Sequence, residues 1–340
     1  MSSSIVSPPG TASDRRAPTW LVWLALGIVY VVWGSTYLAI RITVETLPPL
    51  LTGGLRFIAA GLIVFVWLRL RRGARSFRLT RAEIGASAVV GAALLFGGNG
   101  MVMIAEQDVP SALAALIIAS VPLWVVVLRS IFRDKVSLGT LVSVLVGFVG
   151  VGVLLLPGSR PEGVRLGGLL LLVAASLSWA GGSFFSKKLP LNRDPLVSTG
   201  LQMLLGGLIM AVAGVARGEA VNIDVASFST ASIVALVYLV SIGSLVAFTA
   251  YVWLLQNAPI SKVATYAYVN PVIAILLGWL ILDEKFTTTI VLGATIIVAS
   301  VAFIVRKESA PAPTSAESQD APEASDAPPD RLTVGAHSEA

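Results

Sequence analysis

The chain has no cysteine, and its one histidine, His337, lies close to the C-terminus. The first absence removes disulfides, thiol catalysis and Cys-ligated metal. The second removes a His-based metal site or a histidine proton relay from everything upstream of the tail. Charge is scarce too: 13% of the 340 residues are Asp, Glu, Lys or Arg, where a soluble domain carries roughly 25%. There is no G-x-x-x-x-G-K-[ST] sequence, so no phosphate-cradling loop and no sign of nucleotide-driven work. What fills the chain instead is apolar: 56% hydrophobic residues and a mean hydropathy of +0.85. That composition belongs to a polytopic membrane protein.

Apolar stretches of about 20 residues, enough to cross a bilayer, recur near 20–40, 50–69, 84–105, 110–132, 137–156, 166–186, 196–216, 231–255, 261–282 and 287–305. The pI near 9.7 does not point to nucleic acid, because the bases lie between these stretches and not along one face. They also alternate. Arg15 and Arg16, six arginines in "RLRRGARSFRLTR", then Arg129, Arg133 and Lys135, Lys187, Lys188 and Arg193, Lys262, and Arg306 and Lys307 fall on one side. Only Arg41, Arg160, Arg165, Arg217 and Lys285 fall on the other. An excess of bases marks the cytoplasmic loops, so both termini are expected in the cytoplasm, as an even number of spans requires. Span 1 is too long for a signal-peptide core and is read as uncleaved. Residues 1–19 form a cytoplasmic segment; the Ala/Pro/Ser-rich tail 307–340, with seven acids and one base from Glu308 onward, is expected to be disordered.

The two halves resemble each other. "PLLTGGLRFIAAGLI" (49–63) aligns with "PLVSTGLQMLLGGLI" (195–209), which sets Arg56 on Gln202; "QDVPS" aligns with "QNAPI"; and Pro110 and Pro122 have the spacing of Pro259 and Pro271. "WGSTYLAIR" from Trp33 faces "WAGGSFFSK" from Trp179. Each half, 20–157 and 158–306, holds five spans, so the second enters the membrane from the opposite side. An all-α membrane protein of ten helices in two inverted five-helix repeats follows. Inverted repeats with interrupted helices are the architecture of alternating-access transporters.

The stretches "WGSTYLAIR", "LPPLLTGGLRF", "GNGMVMIAE", "VPSALAALIIASVPLW", "SWAGGSFFSKK" and "ATYAYVNPVIAILLGWLILDE" resemble the EamA family of the drug/metabolite transporter superfamily, most nearly its bacterial inner-membrane exporters. The resemblance covers both repeats, about 20–305. It implies ten helices, cytoplasmic termini, a central cavity between two bundles, and export of small metabolites, amino acids or drugs across the bacterial inner membrane.

Arg56 is the one charge clearly inside a span, about 10 Å from its outer end. An intramembrane arginine needs a reason: an anchor for a substrate carboxylate, an ion pair with Glu106 or Glu45, or snorkelling to the surface. Glu106, at the outer end of span 3, reads as a hydrated helix-end charge, a gate partner for Arg56 or a protonatable group. Asn99 either glues helices together or lines the cavity. Trp33, Ser35, Thr36 and Tyr37 cluster in span 1, with Trp179 and Ser183 at the matching place of span 6; they are cavity walls or gates, or else interfacial and packing residues. Trp124 is a weaker candidate, as are Tyr251 and Trp253. In "TYAYVNP", Pro271 frees the carbonyl of Ala267, and Pro122 in the matching span 4 frees that of Ile118. Spans 4 and 9 are therefore expected to bend at these prolines. Asn270 stands beside its break, and Tyr266 and Tyr268, two apart, cannot both face one cavity.

Spans 9 and 10 contain no internal Lys or Arg, which argues against a phosphorylated substrate. A passive channel for small polar solutes is the alternative, but no charge ring or carbonyl filter is evident. An intramembrane hydrolase would need a nucleophile–base pair or a metal, and the spans hold no His, no Cys and no deep carboxylate. No cofactor, metal, nucleotide or nucleic-acid partner is expected; the partners are a small-molecule substrate and the lipid bilayer, with the chain a monomer or homodimer. With no acid at mid-bilayer, transport is expected to run on the substrate gradient without a pH gradient.

Overall fold

The computed structural model describes residues 18–72, 79–134, 136–156, 163–221, 223–258 and 260–308. Residues 73–78 of the arginine-rich link, Lys135, Pro259, the N-terminal segment and the acidic tail lie outside this set. Among the described residues ten long helices follow one another: α1 Thr19–Thr43, α2 Pro49–Arg72, α3 Arg81–Ala105, α4 Ser111–Ile131, α5 Leu138–Leu155, α6 Leu166–Ser186, α7 Pro195–Ala216, α8 230–257, α9 Tyr266–Leu282 and α10 Thr288–Glu308. No strand occurs among the described residues. Nine of these helices are long and apolar enough to cross a membrane; α9 is the shorter one, preceded by the single turn Ile260–Val263.

The helix starts are written locally. Thr80 and Glu83 form a capping box at α3. Asp194 accepts from the N–H groups of Leu196 and Val197 at the head of α7, with Pro195 at the first position. Ser137 and Ser229 cap α5 and α8. Two starts are capped from far away. The Glu219 carboxylate, just after α7, accepts from the N–H groups of Leu50 and Leu51, both at 2.9 Å. Glu284, just after α9, does the same for α4.

Packing exposes the duplication. Two helix pairs, α2 with α7, the most extensive of all, and α5 with α10, each join a helix to its own counterpart in the other half. Other pairs come as matched sets: α1 packs on α8 and α9, as α6 packs on α3 and α4. Small residues let the backbones close in. A Cβ on Gly91 would lie 2.6 Å from the Gln202 carbonyl oxygen, and one on Gly207 2.9 Å from that of Gly54. Membrane helices, which gain no hydrophobic drive from lipid, associate through this kind of contact.

The third helix of each half carries a π-helical stretch, Ala92–Gly100 in α3 and Leu239–Val246 in α8. Such stretches are rare and concentrate at functional sites. The interruptions of α4 and α9 do not match in the same way. The helix α4 is interrupted at Ala119–Ser120, and Pro122 sits in the first turn of the half that follows. There its missing N–H costs nothing. On the α9 side the break is at Ala264–Thr265, between the short turn and the long helix, and Pro271 lies inside an unbroken helix. The expected bend at Pro271 is therefore displaced toward Thr265, whose hydroxyl takes the Lys262 carbonyl and so makes the turn locally.

Candidate functional site

The chain enters and leaves the bundle at one end, called proximal here; the other is distal. Three groups of candidate residues lie along the path between them.

At the distal end, Arg41 on α1 donates to the carbonyls of Glu106 and Gln107, closing the last turn of α3, where a cation also suits the helix dipole. The Glu106 side chain, one residue past α3, is fully buried, and neither carboxylate oxygen has a protein partner. Burial pushes its carboxyl well above the usual carboxylate range; the Glu284 carboxylate adds to that rise and Arg41 opposes it. Glu284 has taken the available donors: Ser111 N–H at 2.7 Å, Ser111 Oγ at 2.8 Å and Ala112 N–H at 3.0 Å. Tyr37 packs beside the main core close to this group. A pocket of about 240 Å3 opens nearby, lined by Glu45, Gln107, Glu219 and Asp224 among others.

Between the ends, Arg56 on α2 is only 4% exposed. Its Nε donates to Ser244 Oγ at 2.9 Å, and its Cζ stands 4.7 Å from the Phe57 ring centroid. A Cβ on Gly243 would meet Arg56 Nη2 at 3.6 Å and Thr36 Cγ2 at 3.3 Å, so α1, α2 and the π-helical stretch of α8 converge on the guanidinium. Nη1 is buried without a partner. The expected pairing with Glu106 or Glu45 does not form: Glu106 is unpartnered and Glu45 is exposed. Nor does the arginine snorkel, because it is buried. A charge of this kind at a helix centre costs roughly 2.5–3.5 kcal/mol on insertion scales. Close by on α1, Ser35 Oγ lies 2.6 Å from the Tyr238 hydroxyl and Thr36 Oγ1 donates to the Trp33 carbonyl at 2.6 Å. Asn270 is buried with Oδ1 unpartnered, and its carbonyl oxygen would lie 3.1 Å from a Cβ on Gly34.

Toward the proximal end, Trp33 meets Tyr251 at 5.0 Å and Tyr266 at 5.1 Å between ring centroids, and the two tyrosines meet at 5.8 Å. Tyr30 and Thr265 join their hydroxyls beside them. Val22, Ala25, Leu26, Val29, Leu254 and Val263 form an apolar cluster of their own around these rings, separate from the main core.

The remaining candidates lie elsewhere. Trp179 rests on Gly98, next to Asn99 in the π-helical stretch of α3. Ser183 offers its carbonyl to Ser186. Trp124 turns to Phe148 on α5, 4.6 Å away between centroids, with its Nε1 buried and unpartnered. Tyr268 packs against the main core, while Tyr266 joins the aromatic group. Ser244, Gly243, Tyr238 and Glu284 were not legible as site residues. "SIGSL" (241–245), whose Ser and Gly interrupt an apolar run in α8 as "FGGNG" does in α3, is the signal that could have found the first two.

Both halves of the chain, residues 19–156 and 166–306, match the EamA-like transporter family. The chain belongs to that family. It is 37% identical over 255 residues to the uncharacterized inner membrane transporter YedA of Escherichia coli, covering 75% of this chain and 80% of YedA. It is 25% identical over 303 residues to the transporter YvbV of Bacillus subtilis (87% and 95% of the two chains). To a probable amino-acid metabolite efflux pump of Salmonella typhimurium it is 25% identical over 291 residues (82% and 92%). A solved crystal structure superposes with a TM-score of 0.57 at 20% identity, covering 86% of this chain and 100% of that one, a likeness of fold alone. The protein is thus a non-enzymatic membrane transporter that lies in a lipid bilayer and takes a small-molecule substrate.

Proposed function

We propose that this chain is a secondary exporter of small metabolites, amino acids or drug-like compounds, working by alternating access across a bacterial inner membrane. The observation that supports it is the pairing of α2 with α7 and of α5 with α10. Each pair joins repeat counterparts of opposite direction, and the bundle between them is closed at two ends by different groups of side chains. Two inverted halves rocking about such contacts expose a midplane site to each side in turn. The functional units are the halves 20–157 and 158–306. The excess of bases at the proximal end supports a cytoplasmic position for both termini. The Salmonella relative's name, an amino-acid metabolite efflux pump, agrees with amino acids as one class to test. The working unit is a monomer or homodimer and uses no nucleotide.

The test is counterflow. Purified protein in liposomes preloaded with unlabelled amino acids, or with cationic dyes, is given the labelled compound outside. Transient uptake above equilibrium, stimulated by the internal compound, is expected for a carrier. Uptake that equilibrates at the same rate with empty and loaded vesicles would make the chain a passive channel.

A further inference from the structure

Arg56 sets a problem that the fold does not solve. Its guanidinium is buried among three helices. One nitrogen is tethered to Ser244, one has no protein partner, and the Phe57 ring covers a face. Among the described residues, the acids near the membrane ends are otherwise engaged or remote. Glu219 and Glu284 cap helices, Asp194 caps its own, Glu83 holds Thr80 and Asn192, and Glu106 faces Glu284 and Arg41. A buried ion without a counter-ion is costly, and removing a partner from such a pair is more costly than never burying it. An arginine kept in this state is paired for part of its working cycle.

We infer that Arg56 is the anchor for the carboxylate of the transported molecule, and that the substrates are small organic monocarboxylates, amino acids included. Three features select that chemistry. The guanidinium is planar, and its free edge matches the two oxygens of a carboxylate. The Nε–Ser244 bond fixes the plane, so the fork is preorganised and little rotamer freedom is lost on binding. The charge is single: none of the other described helices brings a second base to this depth, so one negative charge is neutralised and a phosphate dianion is left half-paired. The Thr36 methyl and the π-helical stretch carrying Gly243 pack against this edge in the closed form, so a ligand reaches the guanidinium when α1 and α8 part. Arg56 thereby becomes the electrostatic switch of the cycle: unpaired in the closed empty state, paired when loaded.

This inference rests on the transport reading, and its test separates the two. Wild-type protein in detergent is titrated with L-leucine, L-phenylalanine and 3-phenylpropionate, each against its carboxamide, with thermal stabilisation as the readout; the same pairs are then run in counterflow. Loss of a charge-assisted pair costs about 10- to 100-fold in affinity, so each carboxamide is expected to bind at least about 10-fold more weakly than its acid. Arg56→Met is expected to lose the preference for the acid and, freed of an unpaired ion, to melt no lower than wild type without ligand, while Arg56→Lys, which keeps the charge but not the planar fork, is expected to retain a reduced preference. Acids and carboxamides binding equally to the wild type would overturn the inference, and that comparison needs no variant to fold. Counterflow of cationic dyes with no response to any carboxylate would also overturn it while leaving the transporter reading intact. Absence of counterflow for every compound would strike the transporter reading itself.

Discussion

At the proximal end, α1, α8 and the start of α9 meet through rings: Trp33 between Tyr251 and Tyr266, sealed behind by aliphatic side chains. At the distal end, α1, α3, α4 and α9 meet through ions: Arg41 on two carbonyls, Glu284 on the head of α4, and Glu106 buried between them. The first closure is area and stacking, insensitive to pH and salt. The second is made of directional bonds to charged groups, individually stronger, fewer, and dependent on protonation. A repeat protein with matched halves need not have matched gates. The sequence duplication fixes which helices pair, while single residues such as Glu284 decide how each end is held.

This contrast can be broken from its strong side first. Glu284→Ala removes the acceptor for two backbone N–H groups and a hydroxyl at once. An unsatisfied buried donor costs roughly 1–3 kcal/mol, so a loss of about 3 kcal/mol is expected, read as a lower melting temperature in detergent. A cysteine placed at Gln107 should at the same time react faster with an impermeant maleimide. Unchanged melting would mean that the α4 cap is idle.

Trp33→Ala removes two aromatic pairs, each worth about 0.5–1.5 kcal/mol beyond the buried area. A loss of roughly 2 kcal/mol is expected, with Trp33→Phe recovering most of it. The signature that separates this end from the other is indifference to pH: the Trp33→Ala defect should be the same at pH 5 and pH 8.

The distal closure should instead follow the proton. The Glu106 carboxyl is raised in the closed form above its ordinary value near 4.5, so the closed form holds the proton more tightly than an open, hydrated one. Its contribution to closure is complete below the ordinary value and is lost as pH rises through the raised one. Alkylation at position 107 should therefore speed up with rising pH on the distal side, and Glu106→Gln should remove that dependence. Because Glu106 stands at the distal end, the proposed cycle has the proton enter and leave on that side, and pH there is expected to set the rate without driving uphill transport. A flat pH profile in the wild type would remove Glu106 from the closure. The smallest effect is expected for Ser35→Ala, which deletes one hydroxyl contact to Tyr238 and should cost about 1 kcal/mol or less.

Much of the architecture was legible because it is written locally. Apolar length located all ten helices to within a few residues, and the repeated Pro, Gly and Trp positions paired the halves. The site was legible only in part. Arg56 stood out as a charge in a span, but its partner did not. Ser244 lies 188 positions away, and a serine in a helix carries no signal of what it touches. Glu106 was the natural counter-charge on position along the chain, yet its carboxylate is buried at the distal end without a partner, beside Arg41 and Glu284. Pro271 misled for a related reason: a proline announces a lost hydrogen bond, while the turn was made by Thr265, whose side chain competes for the backbone. Glu284 went unnoticed because an acid after an apolar run reads as a solvated helix end.

The central claim is that the aromatic and ionic closures alternate, one open while the other is shut. The cysteine-free chain suits spin labelling. One pair of labels at Trp23 and Lys262, both exposed at the proximal end, and another at Gln107 and Lys285, both exposed at the distal end, report the two gaps by pulsed dipolar spectroscopy in liposomes. Across substrate-free and substrate-loaded samples, the account predicts opposite changes: populations with a long proximal distance have a short distal one, and the reverse. Two distances that lengthen together, or that stay fixed while counterflow proceeds, would contradict it.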